Sequence, residues 1–256
     1  MRENRLRALL AQDRPLFGVL MNFPTPQEVE FLGHLGFDWV LLDAEHDGLS
    51  PREAYPLVMA ADHVGMASVV RVASVTSDSV LPFAETGVSG IIAPHVRTAQ
   101  EARNLVATLA YPPLGTRGAG SARAANYGLT QQPTEYFADA GNHTVPIALL
   151  EDKIAYEQLD ELVAVDGLDI FCLGTGDLAG SLGIPGRSSD PQVQALATAA
   201  AERILAAGKV VGSGVANGAG ARASAASGAR FIQVSNTGLL AAAGREFLTA
   251  ARAGED

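Results

Sequence analysis

Four ionisable groups fall within five residues at Asp43-Ala44-Glu45-His46-Asp47, directly after the apolar run Trp39-Val40-Leu41-Leu42. A histidine set among carboxylates suits proton transfer near neutral pH, because imidazole titrates there. Other polar groups stand in the same relation to apolar runs. Arg71 closes Val69-Val70-Arg71, His95 follows Ala93-Pro94, Glu151-Asp152 follows Leu149-Leu150, and Gly174-Thr175-Gly176-Asp177 follows Leu173. Asn217 and Asn236 come shortly after two further runs. Glu151 and Asp177 are residue types that hold a hard divalent cation, Mg2+ or Mn2+, through oxygen while leaving positions open for substrate. Two nearby carboxylates also repel one another unless a cation lies between them. Zinc is disfavoured, since no His/Cys set has ligand-like spacing. Arg71, in an otherwise apolar run, is costly to bury unpaired, and its guanidinium can stabilise an enolate or carboxylate oxygen.

Each residue also has a plainer reading. Asp43 can cap a turn or pair with a cation, Glu151 can pair with Lys153, Asp177 can cap the turn that follows it, and Arg71 can be half of a buried ion pair. The glycines of Gly174-Thr175-Gly176 can serve a tight turn, or let backbone N–H groups approach a substrate carboxylate. His34, His63 and His143 lie away from the run ends and read as structural or solvated. Cys172, inside Ile170-Phe171-Cys172-Leu173, reads as a packed core thiol.

The elements that must position these groups follow from the runs themselves. Strands are expected at 17–21, 39–43, 68–72, 90–93, 145–150, 168–173, 209–215 and 230–234. Most are continuously apolar, as parallel strands buried on both faces should be. Helix starts lie between them. Ser50-Pro51-Arg52-Glu53 and Thr98-Ala99-Gln100-Glu101 are capping boxes, and Thr25-Pro26 and Asp190-Pro191 repeat the cap-then-proline signal. Eight strands alternating with about eight helices point to an α/β fold, a single (β/α)8 TIM barrel over 1–256, with a doubly wound open sheet as the alternative. In such a barrel the polar residues at strand ends share one rim, the rim where catalysis occurs. The segment 112–132 is the longest without a clear element, and the Ala-rich helix expected at 238–252 suits barrel closure or a subunit contact.

Composition narrows the function classes. A chain of 256 residues that is 48% hydrophobic and 18% charged can fill a large core. Its net charge of −10 argues against nucleic-acid or anionic-membrane partners. One cysteine fits a reducing cytoplasm, and no apolar stretch reaches the ~20 residues of a membrane span.

The run Phe37-Asp38-Trp39-Val40-Leu41-Leu42-Asp43-Ala44-Glu45-His46 resembles the second-strand signature of the HpcH/HpaI aldolases, metal-dependent (class II) pyruvate aldolases. The likeness continues through Val70-Arg71-Val72, Tyr111-Pro112-Pro113-Leu114-Gly115-Thr116-Arg117-Gly118, Arg123-Ala124, Leu149-Leu150-Glu151 and Gly174-Thr175-Gly176-Asp177-Leu178, over roughly residues 16–245. The resemblance implies that Glu151 and Asp177 hold Mg2+ or Mn2+, with Co2+ as a further candidate, and that Asp43 orients a water at the metal. It implies that Arg71 stabilises the enolate oxygen, His46 acts as base or proton relay, and amides around Gly176 and Asp177 grip the carboxylate. It further implies a homo-oligomer, hexameric or trimer-based, with exchanged C-terminal helices. No Schiff-base lysine is needed, and the only lysines are Lys153 and Lys209.

Several positions depart from the pattern. Gly174-Thr175-Gly176-Asp177 stands where relatives commonly have Gly-Pro-x-Asp, and Glu85 stands where an Asp usually partners the histidine. Ser235-Asn236 stands where a Ser-Asp pair is usual. Gly212-Ser213-Gly214-Val215 replaces bulkier residues, with Val215 taken as substrate-binding, which predicts a roomier or more polar acceptor pocket. The leading expectation is reversible aldol cleavage of a 4-hydroxy-2-oxo acid to pyruvate, or a related 2-oxo acid such as hydroxypyruvate, plus an aldehyde. The alternatives are a CoA-thioester lyase or oxaloacetate decarboxylase using the same enolate, and a catalytically silent 2-oxo-acid-binding barrel.

Overall fold

The computed structural model describes residues 4–139 and 144–253, so His143 lies outside the described residues. Eight strands close into one parallel barrel in sequence order: β1 (Leu16–Met21), β2 (Trp39–Asp43), β3 (Ala67–Arg71), β4 (Gly90–Ala93), β5 (Val145–Leu150), β6 (Ile170–Leu173), β7 (Val210–Gly214) and β8 (Phe231–Ser235). Closure of β8 onto β1, with Gln233 opposite Gly18, excludes the open doubly wound sheet. All eight fall within two residues of the expected runs, because a strand covered on both faces has to be apolar at nearly every position.

Alternation along each strand sorts the core into two layers. Trp39, Leu41, Val69, Ile92, Ile147, Leu149, Ile170 and Phe231 fill the barrel interior. Their neighbours Val40, Leu42, Val70, Ile91, Ala148, Leu150, Phe171 and Ile232 pack outward beneath the helices. The first helix, Arg5–Leu10, adds Leu6 and Leu9 to the interior cluster. Both capping boxes form, at Ser50/Glu53 and Thr98/Glu101, and Thr25 and Asp190 cap the helices that open on Pro26 and Pro191.

Inside the barrel, the Trp39 and Phe231 rings stack 3.7 Å apart at 12°. The indole has room only because β1 carries glycine beside it. A Cβ on Gly18 would lie 2.2 Å from Trp39 Cε2. Gly18→Ala is therefore expected to destabilise the barrel by about 2 kcal/mol through overpacking, lowering the thermal midpoint by roughly 4–8 °C for a chain of this size. An unchanged midpoint by circular dichroism would show that the ring can shift without cost.

The segment 112–132 contains one short 3-10 turn, Arg123–Gly128. It is tied to the barrel by ion pairs from Arg117 to Glu85 and from Arg123 to Asp62, and Arg123 also donates to the Thr86 carbonyl. His34 and His63 are exposed in the last turns of their helices. Among the described residues no helix is long and apolar enough to cross a membrane.

Candidate active site

The strand order brings Arg71 from β3, Glu151 from the end of β5, the Gly174–Asp177 turn after β6, Gly214 from β7 and Gln233 from β8 around one cavity of about 230 Å³. The stacked Trp39 and Phe231 line the same cavity on its apolar side.

Glu151 is buried, and its two oxygens face different ways. Oε1 accepts the His95 backbone N–H at 2.9 Å, whereas Oε2 would lie 3.1 Å from a Cβ placed on Gly174. Burial pushes the Glu151 carboxyl up to about 7, against the hydrogen bond and charge of His95, and the charges of Asp177 and Glu45 push the same way as burial. Lys153 pairs instead with Glu157, which removes the surface-pair reading of Glu151. Asp177 stands in the first turn of the helix Thr175–Ser181, which has no side-chain cap. The first-turn amides of a helix have no partner within it, so Thr175, Gly176 and Asp177 bring free N–H donors to the cavity wall.

This donor set fits a divalent cation. A buried carboxylate with an inward-turned oxygen faces the charge of a second carboxylate, and an interposed cation would relieve both burial and repulsion. Among the described residues no three His, Cys, Asp or Glu side chains form a ready-made metal cluster. Two protein ligands leave most of the coordination to substrate and water, as Mg2+-like ions favour.

Arg71 is held from one side. Its guanidinium forms a two-point pair with Asp43, and Nε lies 3.3 Å from Glu45 Oε2. Asp43, only 2% exposed, also accepts the backbone N–H groups of Glu45 and His46. Burial works to raise the Asp43 pKa, but the Arg71 hydrogen bond and charge outweigh it and hold the carboxyl below its usual range. Asp43 thus combines the turn-cap and ion-pair readings and holds the Arg71 guanidinium from one side. It does not line the cavity.

Other expected residues land elsewhere. His46 is exposed, and its nearest ion-pair partner is Glu45 at 3.8 Å. Glu85 does not meet it. The Glu85 carboxylate accepts from Arg117 Nε and Nη2, and the Arg117 side chain is wholly buried against the Tyr111 ring. A buried guanidinium needs a counter-charge, which commits Glu85 to this loop. Val215 also lies off the cavity. It follows Gly214, so alternation turns it outward, into an apolar recess lined by Phe17, Phe37 and Ile232. Cys172 packs against the interior cluster, as expected of a core thiol, and also lines the cavity; burial pushes its pKa up to about 12.

Two contributors were given no role from sequence: His95, named only among the strand-end polar groups, and Gln233, not named at all. His95, with a left-handed φ of 51°, aims its backbone N–H at Glu151 and sets Nδ1 2.9 Å from Asp152 Oδ2. Arg97 Nε donates to the same Asp152 oxygen at 2.9 Å. Gln233 lines the cavity beside Gly214. Strand-end position was the available signal for His95. For Gln233 it was a polar residue in the apolar stretch Phe231-Ile232-Gln233-Val234.

Gly214 keeps the β7 side of the cavity open, since the nearest atom to a Cβ placed there is Gln233 Nε2 at 3.9 Å. Gly214→Leu is expected to narrow the range of substrates the cavity accepts, lowering kcat/KM for branched ones about tenfold relative to the smallest. A substrate range equal to that of the unaltered chain would remove Gly214 from the pocket's selectivity.

A closed (β/α)8 barrel with a guanidinium, two carboxylates and free helix amides around one rim cavity is built as an enzyme for small anionic substrates. Residues 17–243 match the family model of the HpcH/HpaI aldolase/citrate lyases. The chain is 32% identical to a hydroxypyruvate/pyruvate aldolase of Sagittula stellata, over 91% of each protein. It is 33% identical to a 2-keto-3-deoxy-L-rhamnonate aldolase of Salmonella schwarzengrund, over 85% of this chain and 81% of that one. The crystal structure of an HpcH/HpaI aldolase/citrate lyase family protein from Burkholderia cenocepacia superposes with a TM-score of 0.91 at 29% identity, covering 98% of this chain and 100% of that one. The chain belongs to the HpcH/HpaI aldolase/citrate lyase family and is a carbon–carbon lyase of the aldolase class.

Proposed function

We propose that the chain catalyses reversible, metal-dependent aldol cleavage of 4-hydroxy-2-oxo acids to pyruvate or a related 2-oxo acid and an aldehyde. The observation that carries this is the buried Glu151 beside Asp177 in a cavity that also holds Arg71. Glu151 and Asp177 would hold a divalent cation, Mg2+ or Mn2+ with Co2+ as a further candidate, which when bound makes the C3 proton of the 2-oxo acid removable by withdrawing electron density. The amides of Thr175, Gly176 and Asp177 receive the substrate carboxylate. Arg71, locked by Asp43, donates to the 2-oxo oxygen as negative charge gathers there. His46, exposed beside Glu45, passes the proton between solvent and the reacting hydroxyl. The Trp39–Phe231 wall excludes water from the enolate. Neither lysine lines the cavity, and Lys209 is paired with Asp169, so a Schiff base has no amine to form on.

The assembly reading rests on the C-terminal helix Asn236–Ala251. Asn236 is anchored by Glu28 and by the Asn22 backbone, yet no later residue of the helix is buried, and Leu240 and Phe247 are more than 60% exposed. The apolar recess of about 290 Å³ on the barrel flank is open as well. A homo-oligomer in which helices and recesses of different copies cover one another satisfies both. Light scattering that returned a monomer would end this reading.

The enzymatic test is pyruvate C3 hydrogen–deuterium exchange followed by NMR, with Mg2+ or Mn2+ and again after chelation. Exchange that requires metal supports the proposal. No exchange with any divalent metal would discard the pyruvate aldolase reading.

A further inference from the structure

Gln233 is a polar side chain on an apolar strand, and it faces the cavity two residues beyond Phe231 on the same face. Its Oε1 is buried and accepts no hydrogen bond, and the amide as a whole has no hydrogen-bond partner among the described residues. The neighbours level with it on β1 and β7 are Gly18 and Gly214, so neither flank offers a side chain to satisfy it. Leaving such an atom unpaired is destabilising, and an apolar residue of the same shape would avoid that cost. On the proposed reading, the carboxylate and 2-oxo oxygen of the acid are served by the amides of the 174–177 turn and by Arg71, on other strands of the cavity. What Gln233 adds is an acceptor and a donor side by side. Carbonyl and carboxylate oxygens can use only the donor, whereas a hydroxyl can use both.

We propose that Gln233 is a specificity-determining residue that hydrogen-bonds a hydroxyl carried by the substrate within this cavity. The inference rests on the aldolase reading above and deepens it by naming the substrate feature recognised. The hydroxyl has two possible sources: C3 of the 2-oxo acid donor, or C2 of the aldehyde acceptor. Gly214 leaves the Nε2 side of the amide open to the cavity, since the nearest atom to a Cβ placed there is Gln233 Nε2 at 3.9 Å.

The test compares kcat/KM for hydroxypyruvate against pyruvate with one aldehyde, and for 2-hydroxypropanal against propanal with pyruvate, at saturating Mg2+. Both ratios are measured for the unaltered chain, for Gln233→Met, which keeps the volume and removes the amide, and for Gln233→Ala. The unaltered enzyme is expected to favour the hydroxylated member of at least one pair. Both variants should reduce that preference about tenfold or more. A change confined to the donor pair assigns the hydroxyl to the 2-oxo acid, and one confined to the acceptor pair assigns it to the aldehyde. No hydroxyl preference in the unaltered enzyme, or a preference that survives in whichever variant folds, overturns the inference. Metal-dependent pyruvate C3 exchange by the unaltered enzyme separates the two failures. Exchange with unmoved ratios refutes the role of Gln233 alone, and absent exchange refutes the aldolase reading.

Discussion

Glu151→Gln is expected to abolish metal-dependent pyruvate exchange, with kcat/KM falling at least a thousandfold, while making the metal-free protein more stable at pH 8. The two effects share one cause. Glu151 is 3% exposed, and its carboxyl is raised from the ordinary 4.5 to about 7. Between those values the folded chain holds a proton that the unfolded chain has released, so stability falls as pH rises through this window and stays low above it. The ionised carboxylate is then a burden of about 3 kcal/mol in the metal-free barrel. Glutamine carries no charge to bury, and its neutral carbonyl is a much weaker ligand for Mg2+ than a carboxylate. Thermal melts after chelation should therefore cross. The variant should match the unaltered chain near pH 5 and exceed it at pH 8, and added Mg2+ should raise only the unaltered chain. A variant that is less stable at both pH values, or one still stabilised by Mg2+, would contradict the assignment of Glu151 as the buried metal carboxylate.

Arg71→Met should cost both catalysis and stability, and the two losses should separate in a double variant. Removing a donor aimed at a developing oxyanion lowers kcat by about a hundred- to a thousandfold. It also strands Asp43, whose buried carboxylate loses its two-point partner, a break worth about 3–5 kcal/mol. Adding Asp43→Asn removes the stranded charge. The double variant should regain much of the lost thermal midpoint and none of the activity. Asp43→Asn alone should retain the guanidinium and lose its aim, lowering kcat more than it raises KM. Equal midpoints for Arg71→Met and the double variant would mean that solvent already reaches Asp43.

The strands were legible because burial on both faces leaves a continuous apolar signature, and Ser50/Glu53 and Thr98/Glu101 were legible because caps are local. Site residues were legible to the extent that a parallel barrel carries every strand's C-terminal end to one rim, so that Arg71, Glu151 and Asp177 could be grouped without knowing a distance. Side-chain direction was harder. Gly214 and Val215 are consecutive and were read as one pocket wall, yet they face opposite sides of the sheet. Counting by twos from Phe231 would have placed Gln233 inside.

What the sequence determined by itself was periodic or local: the order of strands and helices, the helix starts, and which polar groups share a rim. Its family motifs also marked the class of chemistry. Tertiary structure alone decided the pairings. Glu85 serves Arg117 and not His46, Asp43 spends both oxygens on Arg71, and His95 supplies the amide that turns Glu151. These contacts join residues 28 to 56 positions apart, and each was open to rival partners of similar chemistry. Choosing among them depends on barrel register and on which charges end up buried together. Those are properties of the closed fold as a whole, set only when β8 meets β1.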